Sequence, residues 1–385
     1  MTADLFAQLD KLQESAGPAA VVDKLVESLR ARQDYFNLFD ALLLEKKLEL
    51  GLPLDRPSSL EDVPSDKRAE FEEAYVNAAR TVGDLFLAAG DIPQAWPYLR
   101  TIRETEKIRS AVENLDGAGL DYEAAEAIVN VALYEGANPP KGLELLLRAH
   151  GTCNAITAFD QTLHQMTAPD QKRAARLLVR HLYYELREAL RSQVESRIAL
   201  VSPGDGDSIR ELIAGRDWLF GEHSYHVDTS HLNSVVRFAR ALDKDDPELE
   251  LAMQLAEYGA RLHESFQYAG DPPFEEFYPA HLQLFRVMSG KDVEGGLDYF
   301  RKKLAAEPDE RDRQLIAFVL TDLLCRAGRE GEAVDVAEAH LKDLDDQFGF
   351  SFAELCRRAG RRETLLHVTR EKGDLVRYAA TLIES

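Results

Sequence analysis

Apolar side chains recur at intervals of three and four residues along almost the whole chain. This spacing places them on one face of an α-helix, whereas a half-buried strand would alternate apolar and polar residues. No segment rich in Val, Ile and Thr shows that alternation convincingly. The pattern therefore predicts an all-α protein.

Turn-forming residues divide this pattern into helical segments joined mostly by short connections. Gly, Pro, Asp and Ser cluster in six stretches, at 51–59, 61–66, 135–142, 201–208, 269–273 and 306–312. Short connections predict antiparallel helix hairpins. We expect an N-terminal helical region, helical repeats with a long arginine-striped helix, a histidine-rich loop with a helix pair, and C-terminal repeats with capping helices, at 1–66, 67–200, 201–270 and 271–385.

Small residues recur at matched places in three of the predicted hairpins. Each hairpin has a glycine between its two helices, at Gly90, Gly290 and Gly328. The small residues on the helices are Gly83 with Ala95, Thr321 with Ala333, and Gly295 in a weaker third copy. Small side chains on facing helices let the two backbones approach closely. We therefore expect these five residues to lie in tight helix–helix contacts.

This arrangement resembles the tetratricopeptide repeat. In the first copy, Val82 and Gly83 precede the aromatic Phe86, and Ala95 follows on the second helix, as in that repeat. The second-helix aromatic residue is replaced by Leu99, so the repeat is degenerate. The resemblance implies a tetratricopeptide-like α-solenoid of stacked antiparallel hairpins, whose concave face holds a peptide or a partner protein. A HEAT-like array and a non-repetitive helical bundle are the alternatives.

Three of the ten histidines fall within the stretch GEHSYHVDTSH at 221–231. His223, His226 and His231, with Asp228, have the side-chain chemistry of a divalent transition-metal site, and Glu222 or Asp228 could serve as a further ligand or a general base. The spacing matches no metal motif with a known mechanism. Two alternatives stay open: a structural loop with Asp228 or a neighbouring hydroxyl residue as helix N-cap, and a polar site without metal.

A stripe of arginines is predicted on the long helix near the middle of the chain. At 3.6 residues per turn they share one narrow face, and they are Arg173, Arg176, Arg180, Arg187 and Arg191. Such a stripe could bind an acidic peptide or another anion through bidentate contacts. Alternatively, it is a solvated face that pairs with acidic residues nearby. The same two interpretations apply to the arginines at 357, 358, 361 and 362.

Charge and composition restrict the partners. With 46 Lys+Arg against 68 Asp+Glu the net charge is -22, which disfavours nucleic acids and acidic membranes. The first residues do not have the pattern of a signal peptide, and no apolar run reaches the length of a membrane span. The three cysteines form no metal or disulfide pattern, and their apolar surroundings predict buried thiols in a reducing cytoplasm.

No motif of a nucleotide-binding loop or of a nucleophilic serine occurs in the chain. The sequence therefore predicts a cytoplasmic helical-repeat binding module that recognises a peptide or a partner protein and has no identifiable catalytic residues. The alternative is a metal-binding protein or a metal-dependent enzyme that uses the histidine-rich loop.

Overall fold

The computed structural model describes residues 2–197, 204, 206–344 and 350–384. Within these ranges the chain is helical and contains no β-strand, which confirms the all-α prediction. The chain forms two compact units, an N-terminal unit at Met1–Asp170 and a C-terminal unit at Gln171–Ser385. The finer division into four regions stays a prediction.

The first group of α-helices begins within the N-terminal unit. They are α1 Thr2–Ser15, α2 Pro18–Ala31, α3 Tyr35–Glu49, α4 Arg68–Ala88, α5 Ile92–Thr101, α6 Thr105–Glu113, α7 Tyr122–Val129, α8 Pro139–Thr162 and α9 Ala168–Arg197. A π-helix at Asn130–Tyr134 joins α7 to α8.

The second group of α-helices lies within the C-terminal unit. They are α10 Ile209–Ile213, α11 Thr229–Phe238, α12 Glu248–Gly259, α13 Phe277–Ser289, α14 Val293–Ala306, α15 Glu310–Arg326, α16 Glu330–His340, α17 Phe352–Arg358, α18 Arg362–Glu371 and α19 Leu375–Ile383. Short 3-10 helices occur in both units, at Gly117–Gly119, Leu163–Gln165, Asp217–Phe220, Ala239–Ala241 and Glu264–Phe266. None of the described helices is both long enough and apolar enough to cross a membrane.

Local sequence signals fix where many helices begin and end. Asp, Asn and Ser side chains accept the first free backbone N–H groups of their helices, at Asp34, Asp91, Asp121, Asn138, Ser208, Asp228, Asp292, Asp309, Ser351 and Asp374. The three turn glycines predicted from the repeats all have a positive φ, near 79° at Gly90, 73° at Gly290 and 72° at Gly328. Glycine adopts this conformation without a steric penalty, so each hairpin turns where the sequence predicted.

Successive helices pack mainly against their neighbours in sequence. The pairs α4 with α5 and α15 with α16 have extensive contacts, and α13 also contacts α15. In the first pair Gly83 is buried, and a Cβ atom built on it would lie 2.6 Å from Cγ of Leu99. Ala95 is fully buried in the same core. The two backbones therefore approach closely where small residues were expected.

The third predicted contact was assigned to the wrong glycine. Gly295 is exposed at the start of α14, and its N–H donates to the N-cap Asp292. The adjacent Gly296 is buried instead, and a Cβ there would overlap Val287 and lie 2.7 Å from the carbonyl oxygen of Gln283. The close approach thus exists one residue later, because neighbouring positions on a helix lie about 100° apart.

In the second copy, both predicted small residues are buried. Thr321 has 3% of its surface exposed, and Ala333 has none. The Thr321 hydroxyl has no hydrogen-bond partner among the described residues. Threonine is therefore accommodated in the core without a hydrogen bond from its hydroxyl group.

Candidate functional site

The histidine-rich loop connects the 3-10 helix Asp217–Phe220 to α11. Asp228 caps α11, and its carboxylate accepts the backbone N–H groups of Ser230 at 2.8 Å and His231 at 3.4 Å. The hydroxyl of Ser230 donates to the same carboxylate, which lowers the pKa of Asp228. The predicted N-cap is confirmed, and the carboxylate is already engaged by the helix that it begins.

His226 fixes the loop to α12 through Tyr258. The phenolic oxygen of the fully buried Tyr258 lies 2.9 Å from Nδ1 of His226 and accepts the backbone N–H of the same residue at 3.1 Å. Burial lowers the pKa of His226, so the ring is neutral at pH 7 and the phenol donates to Nδ1. Burial likewise raises the pKa of Tyr258 to about 12. This pair is a structural anchor for the loop.

Aromatic side chains complete the attachment of the loop. The ring of Phe220 lies 5.5 Å from that of Tyr258, and the ring of Tyr225 lies 5.3 Å from that of Phe266. A guanidinium group, that of Arg261, stacks 4.2 Å from the centre of the Phe220 ring. These contacts are those of the structural loop, the first alternative to a metal site.

The side chains of the loop do not assemble a metal site. Among the described residues, no group of three or more His, Cys, Asp or Glu side chains is arranged to hold a metal ion. His223 is exposed, and Nδ1 of His226 is hydrogen-bonded to Tyr258. Asp228 is the N-cap of α11, and His231 lies in the first turn of that helix. The proposed ligands His223, His226, His231 and Asp228 therefore remain separate, and the metal hypothesis gains no support from their geometry.

The arginine stripe of α9 is paired with acidic residues. Arg176 forms an ion pair with Asp246, and Arg180 forms one with Glu248 at the start of α12. The two carboxylate side chains are only 4% and 3% exposed. Because a buried carboxylate requires a partner, these two guanidinium groups stabilise the packing of α9 and are not free to bind a ligand.

The remaining arginines of the stripe also have partners. Nη2 of Arg187 lies 3.3 Å from Oε1 of Glu188. Nε of Arg191 lies 3.0 Å from Oε1 of Glu195, one turn later on α9. Arg173 has an interaction partner as well. The geometry favours the interpretation of the stripe as a paired face over that of an anion-binding surface.

A groove runs along α15 in the C-terminal unit. Leu315, Phe318, Asp322 and Cys325 follow one another at helical spacing and line two adjoining cavities of about 760 and 240 Å³. Leu315 is 49% exposed and Phe318 is 38% exposed, although both are large apolar residues. Phe318 borders both cavities, so it lies at the centre of what we call the α15 groove.

The second wall of the α15 groove comes from α17 and the residues before it. The ring of Phe350 meets that of Phe318 edge to face at 6.1 Å. Glu354, Leu355 and Arg358 of α17 border the smaller cavity. The groove therefore combines apolar contacts at its centre with charged groups along its rim.

Negative charge predominates at the rim of the α15 groove. Its lining contains four carboxylates and two guanidinium groups, which belong to Asp309, Asp312, Asp322, Glu354, Arg311 and Arg358. Partial burial and the charges of Asp309, Glu307, Glu275 and Asp271 together raise the pKa of Asp312. Mutual repulsion among acids is relieved when a cation binds beside them. The groove is thus electrostatically suited to a positively charged ligand.

The cysteines differ in their surroundings. Cys356 is buried, and burial raises its pKa to about 11. Cys325 is half-buried beside the groove, and burial raises its pKa too. Both are therefore thiols at neutral pH rather than nucleophilic thiolates. Cys153 is exposed on α8, so the expectation that all three are buried was wrong for this residue.

Sequence reasoning missed the α15 groove, although a signal for it is present. The core face of α15 is formed by residues that include Ile316, Leu320 and Leu324. Leu315 and Phe318 are additional apolar residues outside that face, which is more than a surface helix requires.

Comparisons of the chain with family models, curated proteins and solved structures gave no match.

Proposed function

We propose that the chain is a binding module built from tetratricopeptide-like helix hairpins, and that the α15 groove holds a peptide segment of a partner protein. The segment carries lysine or arginine next to one large apolar side chain. The observation that supports this proposal most directly is the juxtaposition of exposed Leu315 and Phe318 with the acidic rim of the groove.

Helix packing supports the proposed scaffold. Neighbours in sequence pack together, α13 reaches α15 two helices later, and small residues lie at the close approaches between paired helices. In a solenoid of hairpins, every second helix lines one common surface, where a ligand contacts several repeats at once. In such a solenoid the first helix of one hairpin contacts the first helix of the next, and α13 and α15 are in contact in this way.

The chemistry of the groove defines the proposed ligand. Exposed leucine and phenylalanine side chains gain free energy when an apolar group covers them. The carboxylates of Asp309 and Asp312 repel each other, so a nearby ammonium or guanidinium group is favoured. The same carboxylates would repel an acidic ligand. These properties together favour a basic peptide with an apolar anchor.

A peptide library tests the proposal. The full-length chain is titrated, by fluorescence anisotropy, with peptides of about twelve residues in which lysines flank a single leucine or phenylalanine, and with glutamate versions of the same peptides. We expect saturable binding of the lysine peptides only. Phe318→Ala should weaken that binding about tenfold, because an anchoring contact is worth about 1.4 kcal/mol.

Control variants separate the groove from exposed apolar residues in general. Leu315 and Leu382 are both 49% exposed, but Leu382 is on α19, away from the lining of the groove. Leu315→Ala should reduce peptide affinity, whereas Leu382→Ala should leave it unchanged. Equal affinities in these two variants, or equal binding of lysine and glutamate peptides, would contradict the proposal.

We place the module in the cytoplasm, in accord with its three free cysteines, none of which is in a disulfide. The net charge of -22 supports a protein or peptide partner over a nucleic acid. No observation on the histidine-rich loop favours the alternative of a metal-dependent enzyme, so that function is not proposed.

A further inference from the structure

Arg240, in the C-terminal unit, stacks on an aromatic ring and has no ion-pair partner among the described residues. Arg240 lies in the 3-10 helix that follows α11, and its guanidinium group stacks 4.8 Å from the centre of the Phe274 ring. Among the described residues, none forms an ion pair or a side-chain hydrogen bond with this guanidinium group. Arg261 differs, because it stacks on Phe220 and also contacts Asp217 at 2.7 Å.

Charged groups of both signs surround Arg240, namely two arginines and one aspartate. Burial is the main factor that lowers its pKa, and the charges of Arg326 and Arg237 lower it further against the opposing effect of Asp322. An arginine side chain stays protonated even so. A cation that is partly removed from water, next to other cations, is unfavourable unless an anion compensates it.

Neighbouring groups hold the site in shape. Arg326 of α15 donates to Asp322 at 2.8 Å and to the carbonyl oxygens of Leu242 at 2.9 Å and Arg240 at 3.2 Å. On the other side, the imidazole of His281 stacks on Phe274 with ring centres 4.3 Å apart. The ring beneath Arg240 and the backbone that carries it are therefore both held in place, and the Arg240 residue itself is only half-buried.

We propose that Arg240 is the main ligand of an oxoanion site that binds a phosphate or a carboxylate group. Guanidinium groups bind these oxoanions through two parallel hydrogen bonds, and a stacked, fixed guanidinium group loses little freedom on binding. Arg237 and Arg326 add favourable electrostatic potential, which the Asp322 carboxylate bonded to Arg326 partly cancels. This proposal does not depend on peptide binding in the α15 groove.

Equilibrium dialysis of the full-length chain against radiolabelled inorganic phosphate, at constant ionic strength, tests the site. We expect one saturable equivalent of phosphate. Arg240→Gln should lower the affinity at least tenfold, and Arg240→Lys should lower it less because the positive charge remains. The matched control Arg261→Gln removes an arginine that also stacks on a ring but already has an anionic partner, and it should bind phosphate like the unaltered chain.

Two further measurements identify the source of the anion and guard against a folding defect. Asp322→Asn removes the neighbouring negative charge and should strengthen phosphate binding, an effect that a misfolded variant could not produce. Competition by acetate, citrate and a phosphoserine peptide shows whether a carboxylate, a free phosphate or a phosphorylated chain fits best. Absence of saturable binding of any of these anions, or unchanged affinity in Arg240→Gln, would overturn the proposal.

Discussion

At the scale of single residues, Gly296 shows how closely two helices can approach. A methyl group at this position would meet the backbone of α13 at the carbonyl oxygen of Gln283, which cannot move aside as a flexible side chain can. Alanine favours a helix over glycine by about 1 kcal/mol, but overpacking costs about 1–3 kcal/mol. We expect Gly296→Ala to lower the free energy of unfolding, by up to about 2 kcal/mol.

Urea unfolding followed by Trp218 fluorescence in a Trp96→Phe background reports on the C-terminal unit. The matched control is Gly331→Ala on α16, where the nearest atom to the added methyl group would be 3.9 Å away. That variant should be as stable as the unaltered chain or slightly more stable. If Gly296→Ala were equally stable, the close approach of α13 and α14 would be wrong.

A second residue-scale prediction concerns His281 of α13. It is 1% exposed, and burial lowers its pKa to about 3 while Nδ1 donates to the carbonyl oxygen of Phe277 at 2.8 Å. In the unfolded chain a histidine has a pKa of about 6.5, so below that pH the unfolded state takes up the proton first. The contribution of the neutral His281 side chain to the free energy of unfolding is therefore fully present above pH 6.5. It is lost progressively as the pH decreases from 6.5 toward 3.

Between pH 7 and pH 5 this histidine should lower the free energy of unfolding by about 2 kcal/mol. His281→Phe keeps an aromatic ring against Phe274 and Phe277 but cannot titrate, so it should show a correspondingly smaller loss. Urea unfolding at several pH values measures the difference. Parallel pH profiles for the two proteins would show that His281 is protonated as easily in the folded state as in the unfolded state.

Local signals at the residue scale could be read from the sequence, and distant partners could not. The N-cap Asp228 and the turn glycines depend on the few residues around them, so the pattern predicted them correctly. The partner of His226 is Tyr258, 32 residues away, and no local rule identifies it. The error of one position between Gly295 and Gly296 arose because both are small and only packing distinguishes them.

At the scale of elements, the arginine stripe makes α9 a structural support. Its partners Asp246 and Glu248 lie 70 and 68 residues further along the chain, which is why the sequence left two interpretations of the stripe open. The π-helix at Asn130–Tyr134 was not predicted either. It packs against Gly142 of α8, where an added Cβ would lie 2.7 Å from the backbone nitrogen of Leu133.

Removing one arginine of the stripe should reveal its structural role. Arg180→Gln leaves the Glu248 carboxylate, whose side chain is only 3% exposed, without its ion-pair partner. We expect the free energy of unfolding to fall by about 2 kcal/mol. Arg191→Gln on the same helix leaves the Glu195 carboxylate, which is 42% exposed and so stays hydrated, and should cost less than about 0.5 kcal/mol. Similar losses in both variants would argue against a special role for the buried carboxylates.

At the scale of the whole molecule, the net charge of -22 should control how fast a basic peptide reaches the α15 groove. Long-range attraction increases association rates, and salt screens it over a Debye length of about 10 Å at 0.1 M. In the proposed complex, the dissociation rate is set instead by the short-range contacts with Leu315 and Phe318, which salt affects little.

We therefore expect the association rate constant of a lysine-flanked peptide to fall about tenfold between low and high salt, while its dissociation rate changes much less. Stopped-flow anisotropy separates the two rates. Phe318→Ala should show the converse behaviour, with faster dissociation and nearly unchanged association, because the substitution alters no charge. If salt acted mainly on dissociation, the acidic rim would contribute direct ion pairs to the bound state rather than attraction at a distance.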